Sequence, residues 1–130
     1  MKTLNHVLRF ILGLLLLMPT AGALGLFPEP SADMYSSIES WEFISALNST
    51  GYMMPLITIT TLLCALLLFA NRTALAAVIL APFTVNVILF HLFLDASPIS
   101  AAATPAYILL VLNIYFLWVN RNKYKVLMQA

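Results

Sequence analysis

Six basic and five acidic side chains interrupt this chain, and they separate by sign around four long apolar stretches. The stretches cover about residues 7–27, 53–70, 73–94 and 104–120. Lys2 and Arg9 lie at or before the first, Arg72 between the second and third, and Arg121, Lys123 and Lys125 after the fourth. Glu29, Asp33, Glu39 and Glu42 lie between the first and second, and Asp95 between the third and fourth. A chain that crosses a bilayer four times, with both ends inside, puts every basic residue on the cytoplasmic face. That is the arrangement the positive-inside rule favours. The acids carry less topological weight, but they all fall on the other face.

Composition leaves little room for a water-soluble fold. A hydrophobic share of 62% with 8% charged residues cannot cover a core with polar surface. Helices are required, because lipid offers no partners to backbone N–H and C=O groups. A hydrocarbon layer of about 30 Å takes about 20 helical residues, close to the length of each stretch. We therefore expect an all-α membrane four-helix bundle, one domain of 130 residues. It would lie in the inner (cytoplasmic) membrane with the lipid bilayer as its main partner. A net charge of +1 and the lack of any basic run give no reason to expect nucleic acid as a partner. Cys64 stands alone, so no intrachain disulfide can form.

The first stretch has two readings. Lys2, Arg9, the leucines at 14–17 and Ala21-Gly22-Ala23 mimic a secretory signal that would be cleaved after residue 23. Leu24, Leu26 and Phe27 prolong the apolar run to a spanning length, and we expect a retained helix, stopped by Pro28 and Pro30. Ser31 or Asp33 is then placed to cap a short interfacial helix over about 33–49. Met34, Ile38, Trp41, Ile44 and Leu47 would form its apolar face, with Trp41 at headgroup depth and Phe43 off the pattern. Covering a ligand or binding a partner is the second role such a helix can take. Gly51 suits its C-terminus, and Pro55 suits the first turn of the next helix.

Asn71-Arg72-Thr73 is too short to join the second and third helices other than as an antiparallel hairpin. Thr58, Thr61, Cys64 and Ala65 make a small-residue stripe on one, and Ala74, Ala77, Ala81 and Thr84 on the other. Small residues let membrane helices approach closely, so these faces should meet. Pro82 is expected to kink the third helix, with Thr84 or a neighbour relieving the freed carbonyl.

Polar groups inside a membrane are costly and usually serve a purpose. His91 is the leading candidate, because Asp95 follows four residues later on the same helix face. Such a pair at the outer interface can titrate, or hydrogen-bond a headgroup or quinone oxygen; an interfacial histidine satisfied by its neighbour is the plainer reading. Asn86 is about 140° around the helix from His91 and should face a different neighbour. Asn86 and Asn113 are expected to hold helices together. Thr61 completes the candidate polar set. No metal is expected, since His6 and His91 belong to opposite faces and Cys64 has no companions. No catalytic set is evident.

Phe43-Ile44-Ser45-Ala46-Leu47 and the run from Thr50-Gly51-Tyr52 to Pro55-Leu56-Ile57 resemble the DoxX-like family of small bacterial membrane proteins. Asn71-Arg72-Thr73, Leu80-Ala81-Pro82-Phe83 and the segment from Val85-Asn86 to His91-Leu92-Phe93-Leu94 carry the same resemblance. Tyr115, Trp118 and Arg121 fit more loosely, and before residue 40 only a helix and Phe27-Pro28 match. The resemblance implies a four-helix membrane bundle associated with a quinone-linked oxidoreductase. It also marks departures. Thr61 and Asn113 stand where many members carry acids, and Cys64-Ala65 where they carry paired glycines.

The first expectation for function is thus an accessory or structural subunit without catalysis of its own, attached to a membrane or redox partner. The second is a redox component that binds quinone near His91 and Asn86. A small transporter comes last, because proton-coupled export usually needs a membrane-embedded carboxylate.

Overall fold

Apolar runs of this length keep their backbone groups paired away from water only as helices. The computed structural model describes residues 2–129, apart from the Leu127 side chain, and is all-helical among them. Helices α1 (Lys2–Leu16) and α2 (Met18–Ala23) come first, followed by a 3-10 turn over Ala32–Met34. Next come α3 (Ile38–Ser49), α4 (Met53–Phe69), α5 (Thr73–Phe93), α6 (Thr104–Val119) and α7 (Arg121–Met128).

The first stretch is not the single helix expected over 7–27. It breaks at Leu17, where Leu17 N–H turns to Leu14 O at 3.1 Å. Pro19 lies just beyond and has no N–H to continue the ladder. Nor do Pro28 and Pro30 end it. Gly25 does so earlier, at φ +74°, with Leu26 N–H on Ala21 O (3.0 Å) and Gly25 N–H on Gly22 O (2.9 Å). This is a Schellman closure, which needs a residue free to adopt positive φ.

The interfacial helix is also shorter than the expected 33–49. Its N-cap is Ser37, whose Oγ accepts from Ser40 N–H at 3.1 Å, and not Ser31 or Asp33. A tertiary clip explains the shift. Ser37 Oγ–H donates to Leu94 O, and Ser36 Oγ accepts from Ala96 N–H at 3.1 Å. These bonds hold the preceding residues extended against the end of α5. From there α3 meets α4 at 90°.

The hairpin between α4 and α5 closes on Asn71, at φ +63°. Arg72 N–H reaches Leu67 O at 2.7 Å, and Asn71 N–H reaches Leu68 O at 3.0 Å. Asparagine tolerates this left-handed conformation better than most residues. Pro82 leaves α5 as one helix, and Thr84 Oγ1 bonds Leu80 O at 3.1 Å, not the carbonyl of Val78 that the proline frees.

α1 packs on α4 and α6, α4 on α5, and α5 on α6, so the four form a closed circuit. Leu12, Leu68, Leu80 and Phe116 are the large side chains sealed inside it. Cys64 and Ala65 of α4 face Ala76 and Ala77 of α5, with Cys64 Sγ 3.8 Å from Ala76 O. On α1, a Cβ at Gly13 would lie 2.5 Å from the Phe69 ring, so that glycine is what admits the aromatic.

Outward faces carry large apolar residues, among them Leu14, Ile59, Leu66, Val111 and Trp118. The 22-residue segment Lys2–Ala23 and the 21-residue α5 are each long and apolar enough to cross a membrane. α3 and α4 would add a third crossing if that bent pair counts as one span, and α6, at 16 residues, is apolar but shorter.

Candidate functional site

Because Gly25 ends α2 early and the serine clip swings α3 over the end of α5, the helices part at the acidic end. A cavity of about 680 Å³ opens between them. Phe43, Ile44 and Leu47 of α3 form its roof. Ile57 and Thr58 of α4 and Phe83, Asn86, Phe90 and His91 of α5 form two of its walls. Pro19, Gly22 and the Phe27-Pro28 element close a third side. Phe43 stacks at a tilt on Phe90, ring centres 5.8 Å apart, which ties roof to wall.

His91 Nδ1 lies 2.8 Å from Asp95 Oδ2, and the two side chains are 14% and 9% exposed. The carboxylate accepts from Nδ1–H, which leaves Nε2 as the open ring nitrogen. Phe90 meets the imidazole edge-on at 5.2 Å and fixes its plane. His91 also lines a smaller cavity of about 180 Å³, shared with Thr61, Leu16 and Pro105.

The candidate residues divide into two groups. His91, Asp95 and Asn86 gather at the acidic end. Asn86 was expected to face elsewhere and to join helices. It is instead exposed, lines the same cavity as His91, and makes no side-chain hydrogen bond among the described residues. The cavity is wide enough to span the angle between the two positions.

Thr61 and Asn113 are spent on structure. Thr61 is fully buried, and its Oγ1–H is shared between Ile57 O (3.0 Å) and Thr58 O (3.1 Å). Asn113 is 3% exposed and donates from Nδ2 to Ala77 O at 3.0 Å, pinning α6 to α5. Among the described residues no three His, Cys, Asp or Glu side chains cluster as metal ligands.

Sequence reasoning missed two things here. Phe43 looked like a break in the apolar pattern of α3. It lies in the cavity-facing set, whereas Met34 and Ile38 of the expected stripe are exposed. A stripe shifted to Phe43, Ile44 and Leu47 was the available signal. The Ser36-Ser37 clip gave no signal at all, because its partners are backbone groups about sixty residues away. Comparison with protein-family models, curated proteins and solved structures finds no match.

Proposed function

We propose that this chain is a four-pass protein of the inner membrane, with both ends in the cytosol, that serves as an accessory subunit without catalysis of its own. Membrane residence is supported by the apolar lengths of Lys2–Ala23 and α5. α4 and α6, at 17 and 16 residues, would be the shorter crossings, matched by local thinning of the bilayer. Sign segregation supports the orientation. Leu12 and Leu16 of α1 sit in the core, which supports that segment as a lasting part of the fold.

One observation carries the accessory reading. Thr61, Thr84 and Asn113, the polar side chains buried at mid-depth, are all spent on backbone carbonyls: Thr61 and Thr84 on their own helices, Asn113 across from α6 to α5. The DoxX-like resemblance, with its intramembrane acids replaced, supports the same reading. Purified protein given quinol and an electron acceptor should show no turnover. Turnover by the protein alone, lost on His91→Ala, would overturn this reading.

A second reading is favoured by the cavity beneath α3: a ligand of the quinone class bound at the acidic end. Phe43, Phe83 and Phe90 would flank its ring. The Asn86 amide can donate to a quinone carbonyl, and His91 Nε2 can accept from a quinol hydroxyl. A bound quinone would supply two-electron redox chemistry, while these residues hold and orient it. Quinone should then co-purify and be lost from the His91→Ala and Asn86→Ala variants. Quinone-free protein from quinone-replete membranes would rule it out.

A further inference from the structure

At the end opposite His91, a second cavity of about 360 Å³ lies where α1, α5, α6 and α7 converge. Lys2, His6 and Arg9 reach it from α1, and Lys123 from α7, while no aspartate or glutamate lines it among the described residues. The five acids of the chain all belong to segments at the other end.

Arg9 is the anomaly. It is 7% exposed, yet no carboxylate pairs with it among the described residues. Its Nη1–H donates to Asn71 Oδ1, and its Nε–H is buried with no partner. Burial of a guanidinium normally comes with a full set of acceptors, commonly an anion. Here the described residues supply one amide oxygen and the ring of Phe10, 5.4 Å from Arg9 Cζ.

The side-chain oxygens of Thr73 and Asn120 in the wall are already engaged. Asn120 Nδ2 donates to Phe116 O at 2.8 Å and to Thr73 Oγ1 at 3.2 Å, and Lys123 Nζ donates to Asn120 Oδ1 at 2.9 Å. The nitrogens are donors and cannot serve Arg9, and the acceptors Thr73 Oγ1 and Asn120 Oδ1 already take bonds from Asn120 and Lys123. Two helix N-termini add potential of the same sign. α1 starts at Lys2, α5 at Thr73, and α7 just after Asn120, and none has an acid in its first turn. The N-termini of α1 and α5 therefore present positive dipole ends to a cationic cavity, while the start of α7 is offset by the last turn of α6, whose Phe116 and Val119 also line it.

We propose that this cavity binds a phosphate group. The fork of Arg9, flanked by the ammonium groups of Lys2 and Lys123, matches a tetrahedral oxyanion. The phosphate can belong to an anionic lipid headgroup at the adjoining membrane face or to free inorganic phosphate. The chemistry of recognition is the same for both, and it does not depend on any ligand at His91.

The test uses the full chain in detergent micelles. It is titrated with dioctanoyl phosphatidylglycerol and, as the control, dioctanoyl phosphatidylcholine, whose choline would bring a positive charge into the cavity. Native mass spectrometry counts bound lipid, and calorimetry with inorganic phosphate reads the free anion. We expect one site per chain, weakened about tenfold or more by Arg9→Gln and about threefold by Lys123→Gln. Lys125→Gln, outside the cavity, should leave it unchanged. A preference of about tenfold for the glycerol lipid over the choline lipid assigns the source to a headgroup. Saturable binding of inorganic phosphate without that preference assigns it to the free anion. The proposal fails if neither occurs, if Arg9→Gln binds like the wild type, or if Lys125→Gln weakens binding as much as Arg9→Gln. Should Arg9→Gln not fold, the double variant of His6→Gln and Lys123→Gln, both exposed positions, decides: unchanged affinity overturns the proposal.

Discussion

The middle of this molecule and its acidic end are packed to different standards. Just inside the basic cavity the helices are locked together. Leu12, Cys64, Ala65, Leu68 and Ala76 have no exposed surface, and Phe116 has 1%. Toward the acidic end the same helices part around about 680 Å³, and a Cβ on Gly22 would meet only Phe27, at 3.9 Å. Residue size accounts for the difference. Cysteine and alanines at the α4–α5 contact let the backbones close, whereas Phe43, Phe83 and Phe90 hold the acidic end open. In lipid, helix association rests on packing and hydrogen bonds and not on escape from water. Stability should therefore concentrate where the packing is close, and binding where it is not.

Substitutions can break this contrast, the largest expected first. Leu68→Ala should lower unfolding free energy in mild detergent by about 3 kcal/mol, because the surrounding circuit cannot collapse into the space. Phe83→Ala, beside an existing cavity, should cost about 1 kcal/mol or less. Equal losses would mean that the middle and the acidic end are packed alike. Gly13→Leu should cost about 2 kcal/mol by driving a side chain into the Phe69 ring. Gly22→Leu, with open space around it, should stay within about 0.5 kcal/mol of the parent in the same unfolding measurement.

Smaller effects sharpen the polar side of the comparison. Asn113→Leu removes the bond to Ala77 O and should cost about 0.6 kcal/mol, the average for an interhelical hydrogen bond in a membrane. Asn86→Leu breaks no hydrogen bond among the described residues and should leave the melting curve in place, while it alters any ligand occupancy of the cavity. A shift for Asn86→Leu as large as that for Asn113→Leu would assign Asn86 a structural role.

The helical class was legible because apolar length and sign segregation are properties of the chain itself. So was the hairpin at Asn71, where three residues leave a single way to connect two helices. What the sequence did not reveal depends on contacts between distant segments. The start of α3 shifted because Ser36 and Ser37 are bound to the end of α5. The proline pair at 28 and 30 looked like the stop signal for the first stretch, but Gly25 reached the closing conformation first. The shared cavity of His91 and Asn86 appears only once α3 is swung across it. Arg9 read as a simple topological marker. Its burial and its unpartnered Nε–H come from the convergence of four helices, which no local pattern encodes.

The central claim is that the two ends of opposite sign lie on opposite sides of a membrane, joined by four crossings. Cysteine labelling of intact cells with an impermeant maleimide tests it most directly. Cys64 is fully buried and will stay silent in the background. We expect Asp33→Cys and Ile99→Cys to label from outside, and Lys2→Cys, Arg72→Cys and Lys125→Cys to label only after permeabilisation. Labelling that puts residues 2 and 125 in different compartments, or residues 72 and 99 in the same one, would contradict the four-pass arrangement.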